Sequence, residues 1–384
     1  RSRGLGDVYK RQSWTYPSVV SLLTGRYPLE HGISYLDQVL GDTVPMLQQT
    51  LQTAGIRTGC IAENTFFAEH YKLNRGFDEY RYILPGHAQG KERGSDAMTQ
   101  AAINFLDAHK NDRFFLYLHY FPPHAPYAEG NPNAQSITTD PIEAIPPVDD
   151  AMHRAEVGLA PMSREGVNHL RARYDENIFY ADAHVRRLLE AMREMGFGAD
   201  TAIIICSDHG EEFGEHGHLG HSDPPYETLI HVPFILVRGA EPTGPGTRSA
   251  RVARLIDLFP TICGWLRIEA PDGLAGSSLI EPAQNTRGIL NFAQSQSTHP
   301  IEAYVWQRYK LIRDSAGARI EVYDLEQDPR ETCNLVDLRP VLADYLLAEA
   351  LAWRAAKTST MQTDAERVEL DHEATETLKA LGYL

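Results

Sequence analysis

The chain has 384 residues, with 52 Asp plus Glu against 36 Lys plus Arg, a formal net charge of −16. Hydrophobic residues at 42% and charged residues at 23% are globular proportions, which exclude disordered, collagenous and coiled-coil chains. The acidic balance argues against a nucleic-acid binder, whose phosphate contacts need positive surface, and no run approaches the roughly eighteen apolar residues of a membrane span. Cys60, Cys206, Cys263 and Cys333 lie far apart with no CxxC pair, so they build neither a zinc site nor a disulfide framework.

Residues 1–12 (RSRGLGDVYKRQ) show neither helical nor strand periodicity, and none of the charged-then-apolar layout of a signal peptide. They read as a leader foreign to the fold, which leaves a periplasmic or extracellular location open. From Ser13 onward helices alternate with apolar strands. Residues 18–24 (SVVSLLT) read as an apolar helix with Ser18 as N-cap, closed by Gly25 and followed by Pro28. Residues 43–54 form a second helix, with Met46, Leu47 and Leu51 on one face, and residues 57–62 a short buried strand. Residues 96–109 are helical, and 114–121 (FFLYLHYF) are a strand too apolar to face water on either side. Residues 122–161, rich in Pro and Asn, read as an irregular insertion of the kind that rims active sites.

The clearest helix is 174–195, where Ile178, Val185, Leu188, Leu189, Met192 and Met195 recur at helical spacing before Gly196. Residues 201–206 (TAIIIC) and 233–237 are strands. The alternation predicts an α/β fold over residues 13–272, a mostly parallel sheet sandwiched by helices. From 273 to 384 the character changes to a smaller α+β subdomain. Residues 303–313 and 319–323 read there as an antiparallel pair, the region after Pro340 as a charged helix, and 364–376 as its solvated face.

Two segments carry chemistry. Residues 206–221 (CSDHGEEFGEHGHLGH) begin where an apolar strand ends, which is where open α/β sheets bind ligands. Asp208 and His209 offer a carboxylate and an imidazole to a divalent cation, and Gly210 permits a sharp turn. His216, His218 and His221 follow as further ligands or as donors to an anionic substrate. A chance cluster on a surface loop is the bland alternative; four histidines in thirteen residues, directly after a buried strand, weigh against it. The second segment, 14–31 (WTYPSVVSLLTGRYPLEH), sets the Thr15 hydroxyl at a helix start, where backbone N–H groups favour phosphate or sulfate. An alcohol becomes a strong nucleophile when activated, as a metal lowers the pKa of bound water from about 15.7 to about 7. On these residues alone, simple capping by Thr15 and Ser18 explains the segment equally well.

Taken together, the segments resemble the sulfatase family of the alkaline-phosphatase superfamily, over nearly the whole chain from Ser13. The family's Cys-x-Pro-Ser-Arg and Leu-Thr-Gly-Arg appear as Thr15-Tyr16-Pro17-Ser18-Val19 and Leu23-Thr24-Gly25-Arg26. Its Ser-Asp-His-Gly matches Ser207 to Gly210, and its Pro-His-x-Pro matches Pro123-His124-Ala125-Pro126. Tyr226-Glu227 before Val232-Pro233, Ile256-Asp257-Leu258-Phe259-Pro260-Thr261, and Tyr323-Asp324-Leu325 with Asp328-Pro329 complete the order. The resemblance implies a metal-dependent hydrolase of small anionic esters of sulfate or phosphate. Asp208, His209 and Thr15 would hold a divalent ion (Ca, Mn, Mg or Zn), and Thr15 would attack the ester. His124 and His221 would stabilise or protonate the leaving oxygen, with Asn64 and His218 touching substrate.

The departures are informative. Thr15 stands where sulfatases carry the Cys or Ser that becomes formylglycine, and Val19 replaces the motif's Arg. Residues 62–65 (AENT) lack the Lys and His of the family's Gly-Lys-x-His, and Gly220-His221 replaces a Gly-Lys. These changes resemble the Thr-nucleophile branches: phosphodiesterases, phosphatases, phosphonate monoester hydrolases, and phosphoglycerol or phosphoethanolamine transferases. In several of them an Asn contacts the oxyanion, the place implied for Asn64. The family's first strand, which carries acidic metal ligands, has no counterpart legible here: fourteen residues precede Thr15 and Asp7 is their one acid. A transferase and an inactive anion-binding relative are the alternatives; the joint presence of Thr15, Asp208, His209 and His124 weighs against the second. Among other polar residues, His31 and His119 read as packed, His216 as a rim residue, and Asp182 as paired with a neighbour.

Overall fold

The computed structural model describes residues 5–9, 14–83, 94–125, 127, 162–221, 224–238, 248–281, 291–294, 300–359, 365–368, 375 and 378. The chain divides into two compact units: Arg1–Thr50, Ala199–Glu212 and His221–Val368 in the first, and Leu51–Gly198, Phe213–Gly220 and Glu369–Leu384 in the second. The boundary expected near residue 273 lies inside the first unit.

The first unit holds a four-stranded sheet in the order Ser249–Arg254, Leu5–Tyr9, His231–Arg238, Ala202–Cys206. Leu5–Tyr9 is parallel to Ser249–Arg254, and His231–Arg238 runs against both its neighbours. Contrary to the reading of residues 1–12 as strandless, Leu5–Tyr9 is a central strand, with Asp7 opposite Pro233. Five residues with Gly and Asp among them carry little strand signal, and pairing with two sequence-distant strands overrides it.

Helix Thr15–Thr24 follows, buried at all ten positions, and packs against Leu255–Asp257 and Leu258–Leu266. Its N-cap is Trp14, so Ser18 is not the expected cap but lies inside the helix. Pro17 is tolerated because N–H groups of a first turn have no helical acceptor. The helix ends as expected at Gly25, in the left-handed conformation with φ 64°, its N–H bonded to Ser21 O.

Asn291–Gln294, Ile301–Trp306, Tyr309–Asp314 and Ile320–Asp324 form a separate antiparallel sheet in this unit. Residues 303–313, expected as one strand, are instead a hairpin turning at Gln307 (φ 54°). Apolar residues continue up to both sides of the turn and hide it from a periodicity reading. Helix Pro340–Ser359 packs on the sheet through Tyr304, Leu311, Val322, Leu346 and Ala350. Buried Glu302 accepts from Tyr304 (2.7 Å), Arg313 (3.2 Å) and Arg354 (2.9 Å), tying that helix to the sheet. Glu366–Arg367, expected as helix, pairs with Gln38–Val39 as a short antiparallel strand.

The second unit is built on a parallel sheet, Glu79–Tyr82, Arg57–Ala62 and Phe114–His119, with Arg57–Ala62 central. Helices Gly94–Ala108 and Arg164–Glu194 share a core with it through Ile61, Met98, Ala102, Phe105 and Leu188. The long helix begins at Arg164 rather than Tyr174, capped by Ser163, whose Oγ accepts from Gly166 N–H (3.1 Å). Its first half buries His169, Arg173, Glu176 and Asn177, so no apolar stripe betrays it. Phe114–His119 is half-buried at every position rather than buried on both faces. Residues 126 and 128–161 of the expected insertion lie outside the described residues. None of the four cysteines is in a disulfide, and no described helix is long and apolar enough to cross a membrane.

Candidate active site

Strand Ala202–Cys206 delivers the chain into Ser207, Asp208 and His209 at its C-terminal end. Ser207 Oγ donates to the His209 carbonyl (2.6 Å), folding the segment back on itself. Gly210 N–H donates to Leu229 O (2.9 Å), and a Cβ on Gly210 would lie 1.9 Å from Thr228 O. Glycine is therefore required here for close approach to a neighbouring backbone.

Thr15 is the first residue of its helix and is buried, with Oγ1 3.1 Å from His209 Nε2 across 194 residues of sequence. His209 Nδ1 lies 2.9 Å from Gly210 O. A carbonyl can only accept, so Nδ1 carries a proton; in the neutral form of the ring Nε2 is then the acceptor and the Thr15 hydroxyl donates. The His221 ring stacks on that of His209, with centroids 4.1 Å apart, and its Nδ1 is held 2.9 Å from Glu211 Oε1. Asp208 Oδ2 lies 3.7 Å from His209 Nε2. Hydroxyl, carboxylate and imidazole thus converge within the first unit. An imidazole anchored through one nitrogen to a carbonyl or carboxylate is the usual form of a metal-binding histidine. This oxygen-plus-nitrogen set fits a divalent ion of the Mg, Mn, Ca or Zn kind.

Two residues of the segment escaped the sequence reading. Glu211 orients His221, and Glu212, fully buried, accepts from Thr228 Oγ1 (2.9 Å). The available signal was the acid pair directly after Gly210, which reads as ordinary loop polarity. Tyr226, of the Tyr226-Glu227 motif, bonds Glu321 (2.9 Å) and Arg319 (2.7 Å); burial pushes its pKa up to about 12, keeping it a phenol.

The other expected residues belong to the second unit. His124 is buried, its Nδ1 hydrogen-bonded to Ala125 O and its ring 4.7 Å from that of Phe121. Asn64 is buried and its Oδ1 accepts from Phe66 N–H (3.0 Å), capping the short turn Thr65–Phe67; its Nδ2 is the end suited to an oxyanion. His218 is half-buried in a loop turned by Gly214 and Gly217, with φ 88° and 86°. His119 bonds Tyr117 OH (3.2 Å), and Asp182 pairs with Arg186 (3.0 Å), as expected. His31, in the first unit, meets Ser21 Oγ at 3.0 Å and accepts from Ile33 N–H at 3.1 Å, so it packs as expected.

The Sulfatase family model matches residues 5–268. The chain belongs to the sulfatase family. The match begins at Leu5, inside the stretch read as a leader. This sulfatase-family chain is 27% identical over 348 residues to the multifunctional alkaline phosphatase superfamily protein PehA of Trinickia caryophylli, covering 77% of this chain and 67% of PehA. It is 26% identical over 217 residues to arylsulfatase K of Xenopus laevis, covering 52% of this chain and 40% of that protein. Among solved structures it is similar to the phosphonate monoester hydrolase of Agrobacterium radiobacter (TM-score 0.73, 18% identity, 96% and 93% of the two chains). It is also similar to a protein in complex with its substrate D-glucosamine-2-N,6-O-disulfate (TM-score 0.74, 19% identity, 94% and 92%). These structural likenesses establish the alkaline-phosphatase-like fold that the motif resemblance implied, with the α/β character that the alternation of elements predicted.

Proposed function

We propose that the chain is a metal-dependent hydrolase of small sulfate or phosphate esters in which Thr15 is the nucleophile, with phosphate the favoured ester. The observation that carries this reading is the 3.1 Å approach of Thr15 Oγ1 to His209 Nε2, at a helix N-terminus that itself favours an anion. Asp208, His209 and Thr15 would hold a divalent ion, whose charge would favour loss of the Thr15 hydroxyl proton to solvent and would polarise the ester. Thr15 Oγ1 forms a bond to phosphorus or sulfur as the bond to the leaving alcohol breaks. His221, oriented by Glu211, and His124 give the leaving oxygen its proton, while Asn64 Nδ2 and His218 hold the substrate oxyanion. Water then attacks the central atom, giving a proton to the imidazole that protonated the leaving oxygen, and the bond to Thr15 Oγ1 breaks. Thr15 bears a single hydroxyl on its Cβ, so this displacement is the route open to the covalent ester. It distinguishes this chain from relatives that carry formylglycine.

The test is turnover of nitrophenyl phosphate, phosphate diester, phosphonate and sulfate with and without a chelator. Wild type should lose activity with the chelator and regain it with Mn2+. Thr15→Val should lose about a thousand-fold or more in kcat while melting as wild type does. Retained turnover in Thr15→Val would remove the nucleophile assignment, and a sulfate rate above the phosphate rate would reverse the favoured ester.

A further inference from the structure

The segment bearing Asp208 and His209 is held from one side by residues 228 and 229. Leu229 O accepts from Gly210 N–H, the Gly210 α-carbon abuts Thr228 O, and Thr228 Oγ1 donates to Glu212. Those residues belong to the single turn Glu227–Ile230, too short to be stable by itself. What fixes the turn is an ion cluster reaching it from the antiparallel sheet. Lys310, on strand Tyr309–Asp314 and wholly buried, places Nζ 3.1 Å from Glu227 Oε1 and 2.7 Å from Glu331 Oε1. Glu331 Oε2 in turn accepts the Glu227 N–H at 2.5 Å. One ammonium therefore grips both the side chain and, through Glu331, the backbone of the residue that starts the turn.

We propose that Lys310, acting with Glu227 and Glu331, is a positioning residue that sets the Asp208–Glu212 segment in its metal-binding geometry. The charge pattern fits positioning better than simple stabilisation. Two carboxylates share one wholly buried cation, an arrangement that well-packed apolar side chains often match or better for stability alone. Burial pushes the Glu331 carboxyl up, with Glu227 adding to the shift and Lys310 opposing it. What apolar residues cannot supply is direction: the Glu227 N–H and both carboxylates are aimed at fixed atoms. The path from Nζ to His209 then runs through three consecutive residues, 227 to 229, and through Gly210, with each link a named contact.

The inference rests on the metal reading of the site, so its test carries one readout that needs metal and one that does not. In the full chain, Lys310→Met with Glu331→Leu is compared with wild type for Mn2+ affinity by calorimetry and for hydrogen exchange at the Gly210 amide. The double variant should bind Mn2+ about ten-fold or more weakly and exchange Gly210 faster. Lys310→Arg should restore most of both. Glu302→Gln, which weakens the Arg313 and Arg354 pairs of the same sheet, should lose stability but keep both readouts. A folded double variant with wild-type affinity and wild-type exchange overturns the proposal, as does Glu302→Gln moving both readouts equally. Should the double variant not fold, Glu331→Gln is read in the same way. Wild type that binds no Mn2+ removes the metal reading, and Gly210 exchange still decides the brace.

Discussion

Each unit buries a histidine against a threonine hydroxyl: His209 Nε2 lies 3.1 Å from Thr15 Oγ1, and His184 Nδ1 lies 3.2 Å from Thr99 Oγ1. The two pairs run in opposite directions. Thr99 sits in the interior of helix Gly94–Ala108, and its hydroxyl proton goes to Ser95 O one turn back (2.7 Å), so it accepts from His184. Thr15 is the first helical residue and has no carbonyl one turn back within the helix, so its hydroxyl donates to His209. The carboxylates differ as well. Asp208 lies 3.7 Å from His209 Nε2, and Glu211 orients the stacked His221, whereas the nearest acid of His184 is a largely exposed Asp96 at 4.0 Å. One pair is a strut between helices, the other is the pair on which the proposed nucleophile rests. Position within the helix separates them, and residue type does not.

That contrast can be tested from both sides. The largest effect should come from Glu211→Gln, which keeps a hydrogen-bonding side chain but removes the charge that orients His221. kcat should fall about 10- to 100-fold with KM little changed, and steady-state kinetics that match wild type would place His221 outside the reaction. Gly210→Ala comes next. Its methyl group meets the Thr228 carbonyl at 1.9 Å, and denaturant unfolding should show a loss of about 1–3 kcal/mol, with a fall in kcat smaller than that of Glu211→Gln. Gly198→Ala, with its nearest contact at an ordinary 3.8 Å, is the control and should be close to neutral.

The smallest effect concerns the strut. Burial holds His184 below its ordinary 6.5, with Arg187 adding to the shift and Asp96 opposing it. The native state therefore binds that proton less readily than the unfolded chain. The contribution to stability is complete above pH 6.5 and is lost as pH falls below it. In His184→Phe, which keeps the ring contact with Tyr180, the fall in melting temperature between pH 7.5 and 5.5 should be shallower than in wild type. An unchanged slope would mean that other groups carry the acid limb.

Elements whose own residues dictate their state were legible. Strand Arg57–Ala62 has the bounds read from RTGCIA, and AIIIC ends where the ligand-bearing segment begins. Thr15 at a helix start and the adjacency of Asp208 and His209 were equally plain. What failed to show was whatever depends on a distant partner. Leu5–Tyr9 becomes a strand because two remote strands pair with it. Ser18 loses its capping place because the helix starts at Thr15, and Lys310 meets Glu227 and Glu331 across 83 and 21 positions of sequence.

The sequence by itself determined the α/β alternation and the inventory of reactive groups, since periodicity and side-chain chemistry are local properties. The tertiary structure decided which groups meet. Thr15 and His209, 194 positions apart, share a hydrogen bond whose direction is set by Gly210 O on one face of the ring and by the helix end on the other. A hydrogen bond's direction and a side chain's burial depend on every atom around them, and those atoms come from segments that only folding brings together.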